Sequence, residues 1–371
     1  MYDVAIIGAG INGCAISHAV IEAKKSVILF DMSGIASGGS GAAGAFISPK
    51  FSKEGELREL LNDAFLFSMD FYEKNFPQHL TKAQLLHIAK DEAEAQTLRA
   101  YKQNSPLRLK TPSKTLLSSL TSHAKECENV SLDAGVVDAP AMCQALSNGC
   151  EFKREKVTSL VYNDGMWIIN ECYAAKSVVL ATGAYESLIY EPYSGIRGVW
   201  GHRIDVRSAC ENSASIHQFV SISPSKEGEI AIGATHNVHY HPQKNKEPYD
   251  IEAGRIELLE KASRTMDLGS VEILRDFTGL RSGSVDYMPL IGKVVLANET
   301  QAAFGNKLRV KHFDYEQFLY YPELYMINGN GGYGFVLAPY LAKMLSELML
   351  QGKPISERLV PARFFARWAR R

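Results

Sequence analysis

The first thirty-one residues constrain the fold of this chain more than any other stretch. After Asp3, Val4-Ala5-Ile6-Ile7 is apolar and β-branched, as a strand buried on both faces should be. Gly8-Ala9-Gly10-Ile11-Asn12-Gly13 follows as GxGxxG, and a helical stretch runs to about Lys25. Ser26-Val27-Ile28-Leu29-Phe30 is then a second strand ending in Asp31, eighteen residues after Gly13. Strand, glycine turn, helix, strand and acid is the fingerprint of a dinucleotide-binding unit. Gly8, Gly10 and Gly13 admit a pyrophosphate to a helix N-terminus, and Asp31 holds a ribose hydroxyl. A close-packed βαβ unit with no ligand would show the same spacing, and the motif does not separate NAD from FAD.

Three later stretches bear on the same site. "ASGGSGAAGAF" (36–46) follows the second strand directly. Its backbone amides, around Gly38 and Gly44, and the hydroxyls of Ser37 and Ser40 suit the lining of a bound cofactor; the alternative is a mobile surface loop. "SVVLATGAY" (177–185) reads as another buried strand, ending in Thr182-Gly183 where it would abut the adenosine half. Near the far end, "INGNGGYGFVLAP" (327–339) carries Gly329, Gly331, Gly332 and Gly334 around Tyr333. Proline is tolerated in a helix's first turn, so Pro339 places a helix start at about 335–339. Leu341, Met344, Leu345 and Leu348 continue it, and Gly352 suits its stop.

A length of 371 residues allows about two domains. No uncharged apolar run is long enough for a membrane span. The N-terminus enters a strand with no basic region before it, which argues against a signal peptide. Six cysteines without CxxC spacing, all before residue 211, read as reduced thiols, and a cytoplasmic location is expected. The net charge of −1 is uneven: residues 353–371 carry +5 and the rest −6.

These pieces, in this order, resemble the FAD-dependent D-amino-acid oxidase superfamily across essentially the whole chain, with "GLRSGSVDYMPLIG" (279–292) as a further match. The resemblance implies an α/β architecture: a Rossmann-like FAD-binding domain beside a mixed-sheet α+β substrate domain. The expected boundaries are 1–50, 130–205 and 280–371 for the FAD domain, and 51–129 and 206–279 for the substrate domain. It also implies FAD as cofactor. The first glycine cluster would then hold the pyrophosphate, and the second would bring a positive helix end to the flavin ring. Some relatives attach FAD through a C-terminal cysteine. None follows Cys210 here, so non-covalent FAD is expected.

Within the superfamily, Gly44-Ala45-Phe46, Ser52-Lys53, Asn62-Asp63-Ala64-Phe65, Phe71-Tyr72 and the arginine-rich ending resemble the oxidoreductase half of the bifunctional tRNA 5-methylaminomethyl-2-thiouridine biosynthesis enzyme. That enzyme's methyltransferase half has no counterpart in this sequence, which raises a separate methyltransferase as a partner. The resemblance implies oxidation of a secondary amine on a modified wobble uridine. A glycine, sarcosine or D-amino-acid oxidase is the alternative, and a flavin-bearing binding protein without turnover is a third reading.

On the substrate side, Arg281 matches the arginine that grips a carboxylate in amino-acid-oxidising relatives. An ion pair with Asp276 is the structural alternative, and Arg275 is a weaker candidate. His236 and Tyr240 are placed at the border of the substrate. Asp286, Pro289 and Gly292 are read as shaping a turn. His236, His239 and His241 lack the spacing of a helical ligand pair, so no metal is expected. In the tail, Phe364, Phe365 and Trp368 alternate with Arg363, Arg367, Arg370 and Arg371, a pattern suited to contact with tRNA phosphates and bases.

Overall fold

The computed structural model describes residues 1–185, 188–309 and 314–370. Among them the strands form two sheets of eight. The first is built on the fingerprint. Strand Tyr2–Ile7 lies between two parallel neighbours, Val27–Phe30 and Tyr173–Leu180, with Ile6 opposite Leu29 on one side and Val179 on the other. The order continues outward to Glu151–Lys153 on one flank, and to Tyr320–Asn328 and the antiparallel Leu290–Val295 on the other. Ala5 and Ile6 are fully buried. Because the chain goes on to Val27–Phe30 on one side of Tyr2–Ile7 and later places Tyr173–Leu180 on the other, the C-terminal end of Tyr2–Ile7 opens a crevice of the kind that holds ligands in doubly wound sheets.

The second sheet is mostly antiparallel. Its order is Val271–Ser284, Ile196–Ser208, Glu229–Gly233, Ser221–Ile222, Ala214–His217, Leu80–Ile88, Asn129–Val137 and Phe46–Ile47. Segments 130–137 and 196–205, expected with the FAD domain, are hydrogen-bonded into this sheet.

The last long helix, Gly334–Gln351, packs on Ile11–Glu22 and on Glu56–Asn75. It stops at Gly352, whose φ of +69° only a glycine adopts cheaply. Its start differs from the expectation. Pro339 lies inside the helix, in the second turn, where it removes the N–H that would bond to the carbonyl of Phe335. The neighbouring helix repairs the loss. Tyr72 Oη donates to Phe335 O at 2.9 Å and Ser68 Oγ to Val336 O at 2.7 Å. Tyr72 is fully buried, so Tyr72→Phe should leave that carbonyl unpaired. A loss of about 1–3 kcal/mol is expected from an orphaned buried acceptor, read as a lower denaturation midpoint with the flavin absorbance retained.

The basic tail is mostly scaffold, which corrects the base-stacking expectation. Phe365 is fully buried against Tyr193, Phe318 and Trp368, with ring centres 5.0–5.3 Å apart. Phe364 packs on the core of the first sheet. Arg363 is spent on Asp286. Arg367 and Arg370 remain exposed, and Arg371 lies outside the described residues. The pattern that suggested nucleotide stacking is an amphipathic end folded onto the protein.

Candidate functional site

A cavity of about 580 Å³ runs between the two sheets from the C-terminal ends of the fingerprint strands. Gly8, Gly10, Asp31, Ser37, Gly38, Ser40, Gly44, Thr182, Gly183, Gly331, Gly332, Tyr333 and Gly334 line it, and so does Arg281. Segments that lie more than three hundred residues apart in sequence meet in one space.

At the fingerprint end the backbone is as tight as the GxGxxG spacing requires. Gly8 has φ of +104°, and a Cβ there would stand 2.4 Å from Ala181 O. A Cβ on Gly13 would stand 1.8 Å from Gly8 O. Gly13 therefore does not line the cavity; it lets the helix close on the strand. Asp31 accepts from Ala9 N–H at 2.9 Å through one oxygen, and from Ser33 N–H, Gly34 N–H and Ser37 Oγ at 2.8–3.2 Å through the other. Ser40 Oγ accepts from Ile11 N–H at 2.9 Å, capping a helix whose N-cap, Gly10, has no side chain. The 36–46 run is thus pinned to the dinucleotide loop, against the mobile-loop alternative.

The second glycine cluster is tied directly to the first. Asn330 Nδ2 donates to Asn12 Oδ1 at 2.6 Å, and Asn328 Nδ2 donates to Gly183 O at 2.8 Å. Asn328 Oδ1 accepts from Gly329 N–H and from Ser282 Oγ. Gly329 itself, at φ of +80°, makes the turn and does not line the cavity. Asn330 Oδ1 is buried with no hydrogen-bond partner among the described residues. An orphaned acceptor there calls for a hydroxyl or N–H donor from a cofactor lying along the cavity, while the free amides of the two helix starts suit its phosphates. Burial pushes the Tyr333 phenol up to about 12, so it stays neutral there.

At the other end stands Arg281. One guanidinium nitrogen donates to Thr235 O at 3.1 Å, and a Cβ on Gly201 would come within 2.3 Å of that same nitrogen. Burial pulls its pKa below the usual arginine value. Among the described residues no carboxylate lies within 4 Å of it. The expected alternative fails because Asp276 is held elsewhere, by Arg255 at 2.5 and 3.0 Å and by His202 Nε2 at 2.9 Å. Arg275 pairs with Glu229 and Asp205, away from the cavity. The Arg281 guanidinium thus lines the cavity with no carboxylate counter-ion among the described residues.

His236 and Tyr240 stand outside the lining. His236 is exposed, and its pKa is lowered by partial burial and by the Arg281 and Arg197 charges. Tyr240 packs edge-on to Trp200 at 5.0 Å. His239 is exposed; His241 Nε2 meets Ala184 O, and its Nδ1 accepts from Gln243 N–H. Among the described residues no three His, Cys, Asp or Glu side chains are grouped to hold a metal ion.

Sequence reading missed His217, Phe46, Ser48 and Ser221, which line the wall formed by the second sheet. His217 lies edge-on to Phe46 at 5.0 Å, with Nε2 buried and unpartnered among the described residues. Burial, then the nearby His87, lowers its pKa to about 3, so the ring is neutral. No local signal marks a histidine at the end of a four-residue strand as cavity-facing.

Residues 3–348 match the family model "DAO: FAD dependent oxidoreductase". The chain belongs to that family. Among curated proteins, this DAO-family chain is 23% identical to the tRNA 5-methylaminomethyl-2-thiouridine biosynthesis bifunctional protein MnmC of Legionella pneumophila (strain Corby), over 97% of this chain and 56% of that protein. It is 25% identical to the protein of that name from Leptospira interrogans, over 99% of this chain and 61% of that protein. It therefore spans little more than half the length of these relatives. Among solved structures it resembles glycine oxidase from Geobacillus kaustophilus, with a TM-score of 0.74, 20% identity and 96% coverage of both chains. L-proline dehydrogenase from P. horikoshii gives 0.74 at 18% identity, over 98% of this chain and 97% of that one. Both likenesses establish the fold.

FAD is the cofactor of this family, and the donor set described above fits it. None of the cavity-lining residues is a cysteine. Acid precipitation should therefore release all the yellow colour into the supernatant; colour left on the pellet would show a covalent link.

Proposed function

We propose that this FAD-dependent oxidoreductase oxidises the secondary amine of a carboxymethylaminomethyl group on a tRNA wobble uridine. The observation that carries the reading is the buried, uncompensated Arg281 at the cofactor cavity, because that modification ends in a glycine-like carboxylate. Bound FAD supplies the hydride acceptor. The protein's share is position more than acid–base chemistry. Arg281 binds the carboxylate and fixes the adjacent CH₂ toward the cavity. Thr235 O and Gly201 hold the guanidinium in place. Tyr333, Phe46 and the neutral His217 wall the site. The CH₂ carbon loses a hydride and the nitrogen a proton, leaving a C=N bond. Water adds to that bond, and the C–N bond then breaks to give the aminomethyl base and glyoxylate.

The similarity to MnmC proteins supports tRNA as substrate, and a separate methyltransferase as the enzyme acting next. A free amino acid such as glycine, sarcosine or D-alanine is the second reading, favoured by the glycine-oxidase fold and served by the same arginine. Anaerobic mixing separates them. Bleaching of the flavin by tRNA alone, with loss of the carboxymethyl group in nucleoside mass spectra, supports the first. Bleaching by a free amino acid supports the second. Bleaching by neither would leave a binding protein without turnover.

A further inference from the structure

Three side chains outside the cavity lining take no part in the chemistry above. Tyr287 is 67% exposed and holds φ of +66°, a left-handed conformation that costs a bulky residue energy. The turn beneath it is clamped. Arg363 from the tail donates to both Asp286 oxygens at 2.9 and 3.0 Å, to Met288 O at 2.7 Å and to Pro289 O at 3.1 Å. Asp286 also accepts from Ser284 Oγ and Met288 N–H. A rigid turn thus holds an aromatic ring out in solvent, beside Val285, itself 48% exposed.

One cation stacks on that ring, and a second stands over a cavity-lining ring. The Arg197 guanidinium lies 4.7 Å from its centre, and Lys50 Nζ lies 5.5 Å from the centre of the cavity-lining Tyr333. Arg197, through a hydrogen bond and its charge, and more weakly Lys50, lower the Tyr287 phenol below its ordinary pKa. Among the described residues neither cation has a carboxylate within 4 Å. The nearby acids are already committed, Asp286 to Arg363 and Glu94 to His87. The position is set by the strand Val271–Ser284. Arg281 and Ser282 line the cavity, and the next residue, Gly283, pairs with Arg197 and bridges to Asn330.

We propose that Tyr287, Arg197 and Lys50 form the docking rim for a single-stranded RNA loop, with a base on the tyrosine–arginine pair and phosphates on the two cations. This rests on the tRNA reading above. An exposed aromatic stacked with arginine beside unpaired cations is what unpaired nucleotides bind, because a splayed base offers a π-face that duplex RNA hides. The rim would present the base at the opening that leads to Arg281. The tail then contributes chiefly by fastening the turn.

The test measures binding of a fluorescent RNA hairpin with an unpaired loop to the FAD-loaded protein, with a fully paired duplex for comparison. Tyr287→Ala should weaken hairpin binding roughly ten-fold or more, and Tyr287→Phe should keep it. Arg197→Ala and Lys50→Ala should each reduce the slope of log K against log salt by about 1. If Tyr287→Ala misfolds, judged by flavin absorbance and melting, Tyr287→Gly removes the ring and the backbone strain together. Hairpin binding that is unchanged without the ring overturns the rim, as does equal affinity for the duplex or no binding at low salt. A larger loss from Arg367→Glu with Arg370→Glu than from Tyr287→Ala would move docking to the tail and overturn it too. If hairpin binding needs Tyr287 but modified tRNA never bleaches the flavin, the rim stands and the substrate reading falls.

Discussion

Arg281→Ala should lower kcat/KM for the amine substrate roughly ten- to a hundred-fold, the worth of one charge-assisted hydrogen bond of ~1.5–3 kcal/mol. The side chain makes one bond to Thr235 O and meets no carboxylate among the described residues, so its removal leaves little of the protein unpaired. FAD content and melting temperature should stay near the parent's, which separates lost substrate recognition from lost structure. Arg281→Lys should recover only part of the rate, because an ammonium cannot match both oxygens of a carboxylate at once. Stopped-flow reduction of the flavin under anaerobic conditions reads the effect directly. An unchanged reduction rate at low substrate would remove Arg281 from the site.

Gly13→Ala should yield protein without its yellow colour. The added Cβ would sit 1.8 Å from Gly8 O, a distance no relaxation of side chains can relieve, since both partners are backbone. The helix Ile11–Glu22 must therefore move off strand Tyr2–Ile7, and its cavity-facing start moves with it. Overpacking of this kind costs about 1–3 kcal/mol of stability, so a cooperative unfolding transition should survive while FAD occupancy collapses. The ratio of flavin to protein absorbance after purification measures it. A variant that keeps full occupancy would show that the GxGxxG loop does not carry the cofactor.

Much of this site was legible because its signals are local. A glycine that must accept another backbone has few substitutes, so Gly8 and Gly13 announce their geometry within six residues. Thr182-Gly183 and the 331–334 run were likewise placed from short patterns, and the structure brings them to the same cavity. Pro339 was read by a local rule and the rule was overridden. Tyr72, more than two hundred and sixty residues away in sequence, supplies the hydrogen bond that the proline removes, and Ser68 adds one to the next carbonyl. The tail failed in the opposite sense. Its alternation of arginine and aromatic residues fits nucleotide contact or an amphipathic end equally well, and only the hydrophobic cluster around Tyr193 and Phe318 distinguishes them.

The sequence by itself determined the parallel α/β core, the tight GxGxxG turn and the family, because each depends on backbone torsions and spacing within a short window. Tertiary structure alone decided which charges are free. Asp276 could have neutralised Arg281 but is drawn to Arg255 and His202. His217 and Phe46 became cavity wall through strand pairings that no local pattern encodes. Burial and charge compensation belong to neighbours in space, and those neighbours come from distant parts of the chain.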